Sequence, residues 1–200
     1  MEGAVILHET IHELHSKKKD GVIFKIDFEK AYDKVKWSFL QQTLRMKGFS
    51  EKWCHWIQSF TEGGNANIKV NDQLGFYFQT KKGLRQADPL SPILFNIVVD
   101  MLAILIARAK ADGQVEGVIP NLIEDGLSIL QYPDDTIIFM SHDAQKAVNM
   151  KFLLSTFEQV SGFKINFHRV KYFALARQKT MKIFIRSCLD VLLVNILFVT

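Results

Sequence analysis

An α+β fold is predicted for this 200-residue chain on three observations. Stretches with apolar residues three and four apart, the helical spacing, alternate with short runs of β-branched and aromatic residues that suit strands. The two kinds are intermixed, with no internal repeat and no low-complexity linker between them. The composition, 48% hydrophobic and 23% charged, supplies enough apolar surface for one domain with a real core.

Leu7, Ile11 and Leu14 recur at intervals of four and three, so residues 3–16 read as an amphipathic helix ended by Lys17-Lys18-Lys19-Asp20-Gly21. Val22 to Phe28 reads as a strand. Residues 36–47 are helical up to Gly48, and Ser50 caps a further helix through Phe60 with Glu51 favourable in its first turn. Beyond Gly63-Gly64, residues 67–70 and 75–80 form a hairpin around Asn71-Asp72. A basic, polar loop over 81–89 leads into the longest helix, Ser91 to Lys110, which tolerates Pro92 in its first turn. Leu127–Gln131 and Thr136–Met140 make a second hairpin. A helix over about 143–160 closes near Gly162, and residues 164–167 read as a short strand. Trp37, Trp53 and Trp56 fall at helical positions and are assigned to the core.

Composition excludes several classes. Two cysteines far apart, Cys54 and Cys188, make neither a disulfide framework nor a zinc knuckle. Met1-Glu2-Gly3 lacks the basic start of a signal peptide, so a nuclear or cytoplasmic, non-secreted protein is expected. Val191 to Val199 is too short for the ~20 apolar residues that span a bilayer, and no membrane partner is expected. The net charge of +4 is unevenly placed: Lys164, Arg169, Lys171, Arg177, Lys179, Lys182 and Arg186 follow one another with no acidic residue among them. Such a segment suits a polyanion and equally a solvated face.

The chemistry concentrates in three carboxylates. Tyr132-Pro133-Asp134-Asp135 joins the strands of the second hairpin and puts two adjacent acids at its tip. Asp27 lies near the end of a hydrophobic strand, where a carboxylate needs a metal or a hydrogen-bond donor. Paired strands can bring all three together, and clustered carboxylates suit hard cations such as Mg²⁺. Two such ions roughly 4 Å apart serve phosphoryl transfer. Taken singly, an Asp-Asp pair is an ordinary polar turn.

The surrounding words carry a resemblance. Lys25 to Val35, Gly83 to Asn96, Tyr132 to Asp135 and Ser161 to Phe167 resemble, in order, four catalytic motifs of reverse transcriptases, most like those of non-LTR, LINE-type retrotransposons of plants. The likeness covers about residues 2–172. It implies a right-hand polymerase palm, an antiparallel sheet backed by helices, with part of the fingers and without the thumb or any endonuclease. Residues 1–172 would be the partial reverse transcriptase domain, and 173–200 a divergent tail. The implied reaction adds deoxynucleotides (dNTPs) to the 3′-hydroxyl of a DNA primer on an RNA template. Asp27, Asp134 and Asp135 match the catalytic metal ligands for two Mg²⁺ ions, with Mn²⁺ as a substitute, and Phe28 adds a backbone carbonyl. Tyr32 matches the residue beneath the incoming sugar that excludes a 2′-hydroxyl. Gln86 matches the residue over the nucleotide, with Arg85 beside it; Lys164 is assigned to the nucleotide, and Lys81, Lys82 and Arg169 to nucleic acid.

Two further readings compete. His8-Glu9-Thr10-Ile11-His12 matches the His-Glu-x-x-His pattern of zinc proteases on a predicted helix, with His15 one turn on, although no glycine-spaced third histidine follows. A catalytically inactive remnant that at most binds nucleic acid is the other, and two departures from the family's wording favour it. Ala87 replaces a glycine after Gln86, where a methyl obstructs if the position needs positive φ or close approach of nucleotide. Pro133 stands where the family carries alanine, methionine or valine; proline holds φ near −65°, whereas a tight hairpin needs positive φ at that corner. Impaired catalysis is therefore expected. Pro133→Ala is predicted to speed primer extension, and equal rates before and after the substitution would discharge the proline.

Overall fold

The structure, a computed structural model, describes residues 2–17, 21–118, 126–131, 136–141, 143–166 and 171–175, the side chains of 2–4, 15 and 171–175 excepted. The described elements are α1 (Glu2–Ser16), β1 (Gly21–Ile26), α2 (Ala31–Lys34), α3 (Trp37–Met46), α4 (Glu51–Glu62), β2 (Asn65–Ala66), β3 (Lys69–Val70), β4 (Gln73–Leu74), β5 (Phe78–Gln79), α5 (Ser91–Ala111), β6 (Ile129–Gln131), β7 (Thr136–Ser141), α6 (Ala144–Ser161) and β8 (Lys171–Leu175). One domain is expected from the sequence, but the chain forms two compact units. The first comprises Met1–Phe28, Ala103–Thr156 and Ile165–Thr200; the second comprises Glu29–Leu102 and Phe157–Lys164.

The first unit is built on an antiparallel sheet in the order β6-β7-β1-β8. The β1–β7 register runs from Gly21 opposite Ser141 to Ile26 opposite Thr136. Side chains alternate between faces, and both faces are buried, which is why β1 reads as a nearly unbroken apolar run. On one face Ile23, Ile137 and Phe139 join Leu14, Val118 and Leu127, with Ile6, Leu7 and Ile11 of α1 packed against them. On the other, Val22, Ile26, Ile138 and Met140 are each buried to within 2%.

β1 is shorter than the strand expected over 22–28. Its last pair with β7 is at Ile26, after which Asn166 donates its backbone N–H to the Asp27 carbonyl at 2.9 Å and Phe28 bridges Ile165. The strand expected over 164–167 is accordingly a single bridge. β8, by contrast, is absent from the sequence reading. It straddles position 172, the boundary drawn for the divergent tail, and pairs with β1 from Gly21–Leu175 to Lys25–Lys171. Residues 176–200 of that tail lie outside the described residues.

In the second unit α3 and α4 are joined through the buried Gln41 side chain, which donates to the Cys54 carbonyl at 3.1 Å. Ser50 caps α4 by accepting from the Trp53 N–H at 3.3 Å, as expected. Trp56 is not core: it is 57% exposed, with the Lys52 ammonium 5.1 Å from its ring. The hairpin at Asn71-Asp72 is present, with both residues left-handed (φ 48° and 64°) as a primed turn demands. It is interrupted, however: β3 pairs with β4, and β2 with β5 below them.

Five rings run through this unit's interior. Tyr32 stacks on Phe95 (centroids 4.4 Å, planes 10° apart), Phe95 meets Phe163 at 5.7 Å, Phe163 meets Phe157 at 5.7 Å, and Phe157 meets Phe39 edge-on at 6.0 Å. Aromatic pairs of this kind add about 0.5–1.5 kcal/mol each beyond their buried area. Gly162 ends α6 at φ +84°, and a Cβ there would run into the Lys34 carbonyl. Only glycine takes both that dihedral and that approach without strain. Gly162→Ala is predicted to cost at least about 1–2 kcal/mol, read as a lower urea midpoint with an unchanged m-value.

Candidate active site

The three expected catalytic acids fall differently. Asp27 is half-buried, one residue beyond the last β1–β7 pair. Its backbone is held by Asn166, so the side chain leaves the sheet at a defined point. Asp134 and Asp135, with Tyr132 and Pro133, lie outside the described residues, as does Arg169. The strands flanking that hairpin are described, and Gln131 pairs with Thr136. Asp27 and the Phe28 carbonyl offer hard oxygen donors, which fit a Mg²⁺-class ion and not a soft one.

The expected nucleotide contacts belong to the second unit, and there the structure brings two segments together. The Gly83 N–H donates to the Val35 carbonyl at 2.8 Å, the Leu84 N–H to the Tyr32 carbonyl at 2.8 Å, and the Trp37 indole N–H to the Gly83 carbonyl at 2.7 Å. Gly83 has φ +90°, and a Cβ on it would sit 2.9 Å from the Asp33 carbonyl. These contacts lock α2 against the 83–86 loop. The Gln86 amide then donates to the Asp33 carboxylate at 3.4 Å. Tyr32 is half-buried, its ring backed by Phe95.

Lys82, Arg85 and Gln86, with Asp33, Trp37 and Phe60, line an open cleft of about 950 Å³. The Arg85 guanidinium lies 5.5 Å from the centre of the Phe60 ring, a cation–π geometry. Lys81 and Lys82 are exposed. Lys164 is joined to Glu29: the Glu29 N–H donates to its carbonyl at 2.8 Å, while its ammonium is 3.9 Å from the Glu29 carboxylate, which also holds Lys34 at 2.8 Å. Asp33, Glu29, Phe95 and Trp37 were not singled out from sequence as site residues. Their roles depend on partners distant in the chain; Glu29, Asp33 and Phe95 lie inside the motif segments and Trp37 just beyond one, and that position was the only trace they left.

The zinc-protease pattern finds no support. His8, Glu9 and His12 are exposed on α1, because the Leu7–Ile11–Leu14 stripe faces the sheet. Among the described residues no three of His, Cys, Asp and Glu converge to hold a metal.

The palm-like sheet and the ordered motif segments define a class, the right-hand polymerases. Within it, a family model described as reverse transcriptase (RNA-dependent DNA polymerase) matches residues 2–185, and the chain belongs to that family. It is 26% identical over 168 residues to the Pol polyprotein of the R2DM retrotransposable element of Drosophila melanogaster, covering 82% of this chain and 15% of that protein. A Popillia japonica R2 Pol polyprotein is likewise 26% identical over 168 residues, 82% of this chain and 22% of that protein. The chain thus spans under a quarter of either relative and is homologous to Pol polyproteins of insect non-LTR (R2) elements. An uncharacterized mitochondrial protein of Arabidopsis thaliana is 38% identical over 55 residues, 28% of this chain and 45% of that protein. The fold matches apo telomerase of Candida tropicalis, truncated from its C-terminal domain, at TM-score 0.62 and 18% identity, over 86% of this chain and 35% of that one.

Ala87 shows what its departure from the family wording means locally. It has φ +65°, a left-handed conformation in which the methyl costs about 1–2 kcal/mol. Ala87→Gly is predicted to raise stability by about 1 kcal/mol, measured as a higher urea midpoint; a lower midpoint would show that the loop does not carry this strain.

Proposed function

We propose that this chain is an RNA-directed DNA polymerase palm, with part of the fingers, from a non-LTR retrotransposon. The observation that carries this reading is the β1–β7 register. Its last pair is Ile26 opposite Thr136, and the residues bonded to that pair on the outgoing side are Asp27 and Asp135. Carboxylates at neighbouring strand ends, with Asp134 next in the chain, are the arrangement two-metal phosphoryl transfer uses.

Asp27, Asp134, Asp135 and the Phe28 carbonyl would hold two Mg²⁺ or Mn²⁺ ions, which when bound supply charge neutralisation at the reacting phosphate and its two flanking oxygens. The remaining tasks fall to this chain's side chains. Tyr32, its plane set by Phe95, fills the space of a ribose 2′-hydroxyl. Arg85, Gln86 and Lys164 donate hydrogen bonds to the incoming dNTP. Lys81, Lys82 and Arg169 contact phosphates of the RNA template and DNA primer. The primer 3′-oxygen displaces pyrophosphate at the α-phosphorus.

The methyl of Ala87, next to Gln86 on a backbone conformation that suits glycine, is the feature proposed to lower the rate by crowding the incoming nucleotide. The tail expected to start at residue 173 is not outside the domain from that point, since β8 joins residues 171–175 to the sheet and the family match runs to residue 185; only the residues beyond 185 are proposed as a tail. The 55-residue likeness to an Arabidopsis protein supports a plant element as the source.

The decisive experiment is Mg²⁺-dependent extension of oligo(dT) on poly(rA). Asp27→Asn and Asp134→Ala are expected to abolish it, and Tyr32→Val to reduce discrimination against ribonucleotides by roughly 10–200-fold. Extension that survives Asp27→Asn would end the proposal.

A further inference from the structure

Between α4 and the Gly83 loop the second unit carries apolar surface that its own core leaves uncovered. Ile68, Val70, Leu74, Phe76, Tyr77 and Phe78 are all exposed, Phe76 by 97% and Tyr77 by 73%. The register puts Ile68 and Val70 on one face of the hairpin and Leu74 on the other, and so many exposed apolar side chains in one short segment mark a contact surface. Its charge points to the partner. From Asn65 to Ala87 the basic residues are Lys69, Lys81, Lys82 and Arg85, against one acid, Asp72, and that acid is paired with Lys69 at 2.8 Å. Protein–protein contact surfaces are depleted in lysine. Aromatic faces beside uncompensated lysines are instead the combination that binds single-stranded nucleic acid, the bases stacking and the phosphates meeting ammonium groups.

The arm is also continuous with the cleft. Asn65 and Ala66 of β2, together with Thr80 and Lys82, line it beside Arg85 and Gln86, and β2 is paired with the Phe78–Gln79 strand that follows the two exposed rings. The primed turn at Asn71-Asp72 and the pairing of β3 with β4 make residues 69–74 a formed hairpin, and Phe76 and Tyr77 follow it in the segment that leads into β5.

We propose that residues 65–82 form a stacking platform for a single-stranded stretch of polynucleotide, the template strand, with bases on Phe76 and Tyr77 and phosphates on Lys81 and Lys82. This rests on the polymerase reading and adds to it a surface and residues that the catalytic motifs do not contain. Stacking accepts any base, so the platform holds strand without reading sequence.

The test is fluorescence anisotropy of a labelled oligoadenylate 12-mer with the whole chain, without dNTPs, across 50–200 mM salt. Phe76→Ala and Tyr77→Ala are each expected to weaken binding by roughly 5–100-fold with the salt slope unchanged. Tyr77→Phe should retain binding. The pair Lys81→Ala and Lys82→Ala should flatten the slope of log affinity against log salt by about 1.4. Asp27→Asn should bind like the parent, which separates this surface from catalysis. A parent that shows this pattern but extends no primer removes the catalytic reading and keeps the platform. An unchanged urea midpoint guards against misfolding of the exposed-site variants. Parental affinity in the Phe76→Ala/Tyr77→Ala double variant overturns the proposal. So does a parent dimer that this variant converts to monomer with RNA affinity intact, because the arm would then cover a second copy of the chain.

Discussion

The six cross-strand pairs between β1 and β7 are the constraint on which the first unit depends. A slip of one residue would turn Ile23 and Phe139 from one buried face to the other and carry Val22, Ile26, Ile138 and Met140 with them. Because both faces are packed, a slipped register would have to refill each face with side chains of the wrong shapes, which close-packed interiors do not tolerate. The hydrophobic core, which has no chemistry of its own, thereby dictates where Asp27 leaves the sheet.

The second unit meets a different requirement with hydrogen bonds. The segment from Glu29 to Trp37 carries Tyr32 but is too short to hold a shape alone: α2 has four residues and follows a left-handed Lys30 at φ 44°. Its backbone is therefore tied on two sides. Gly83 and Leu84 bind it from one. From the other, Ser161 accepts from the Lys36 N–H at 2.8 Å, Gln159 from the Lys36 ammonium at 2.5 Å, and Lys164 from the Glu29 N–H at 2.8 Å. The glycines at 83 and 162 are what allow such close approach.

Much of this architecture was legible from local pattern. The apolar stripe of α1, the long apolar run of α5 and the Ser50 cap declare themselves from local sequence. The family words singled out Asp27, Tyr32 and Gln86 because the motifs that carry the resemblance fix particular side chains in a fixed order. What escaped has a common physical cause. β8 is a short strand on the far side of β1, stabilised by a partner 150 residues away in sequence. α2 has no periodicity to detect. Trp56 was assigned to the core from residue type, yet its helix needs only Cys54, Ile57 and Thr61 inside. The division into two units follows contacts, and no linker composition announces it.

The stack of Tyr32 on Phe95 has a consequence for how such a chain tolerates change. Phe95 sits inside α5, is 5% exposed, and would pass in any inspection of catalytic motifs as an interchangeable filler. Yet trimming it would free the tyrosine plane to tilt, so under the proposed role of Tyr32 fidelity toward sugar type would rest on a side chain that meets no sugar. On that proposal, loss of accuracy in drifting copies would begin in the hydrophobic interior, with every acid and amide of the proposed site still intact.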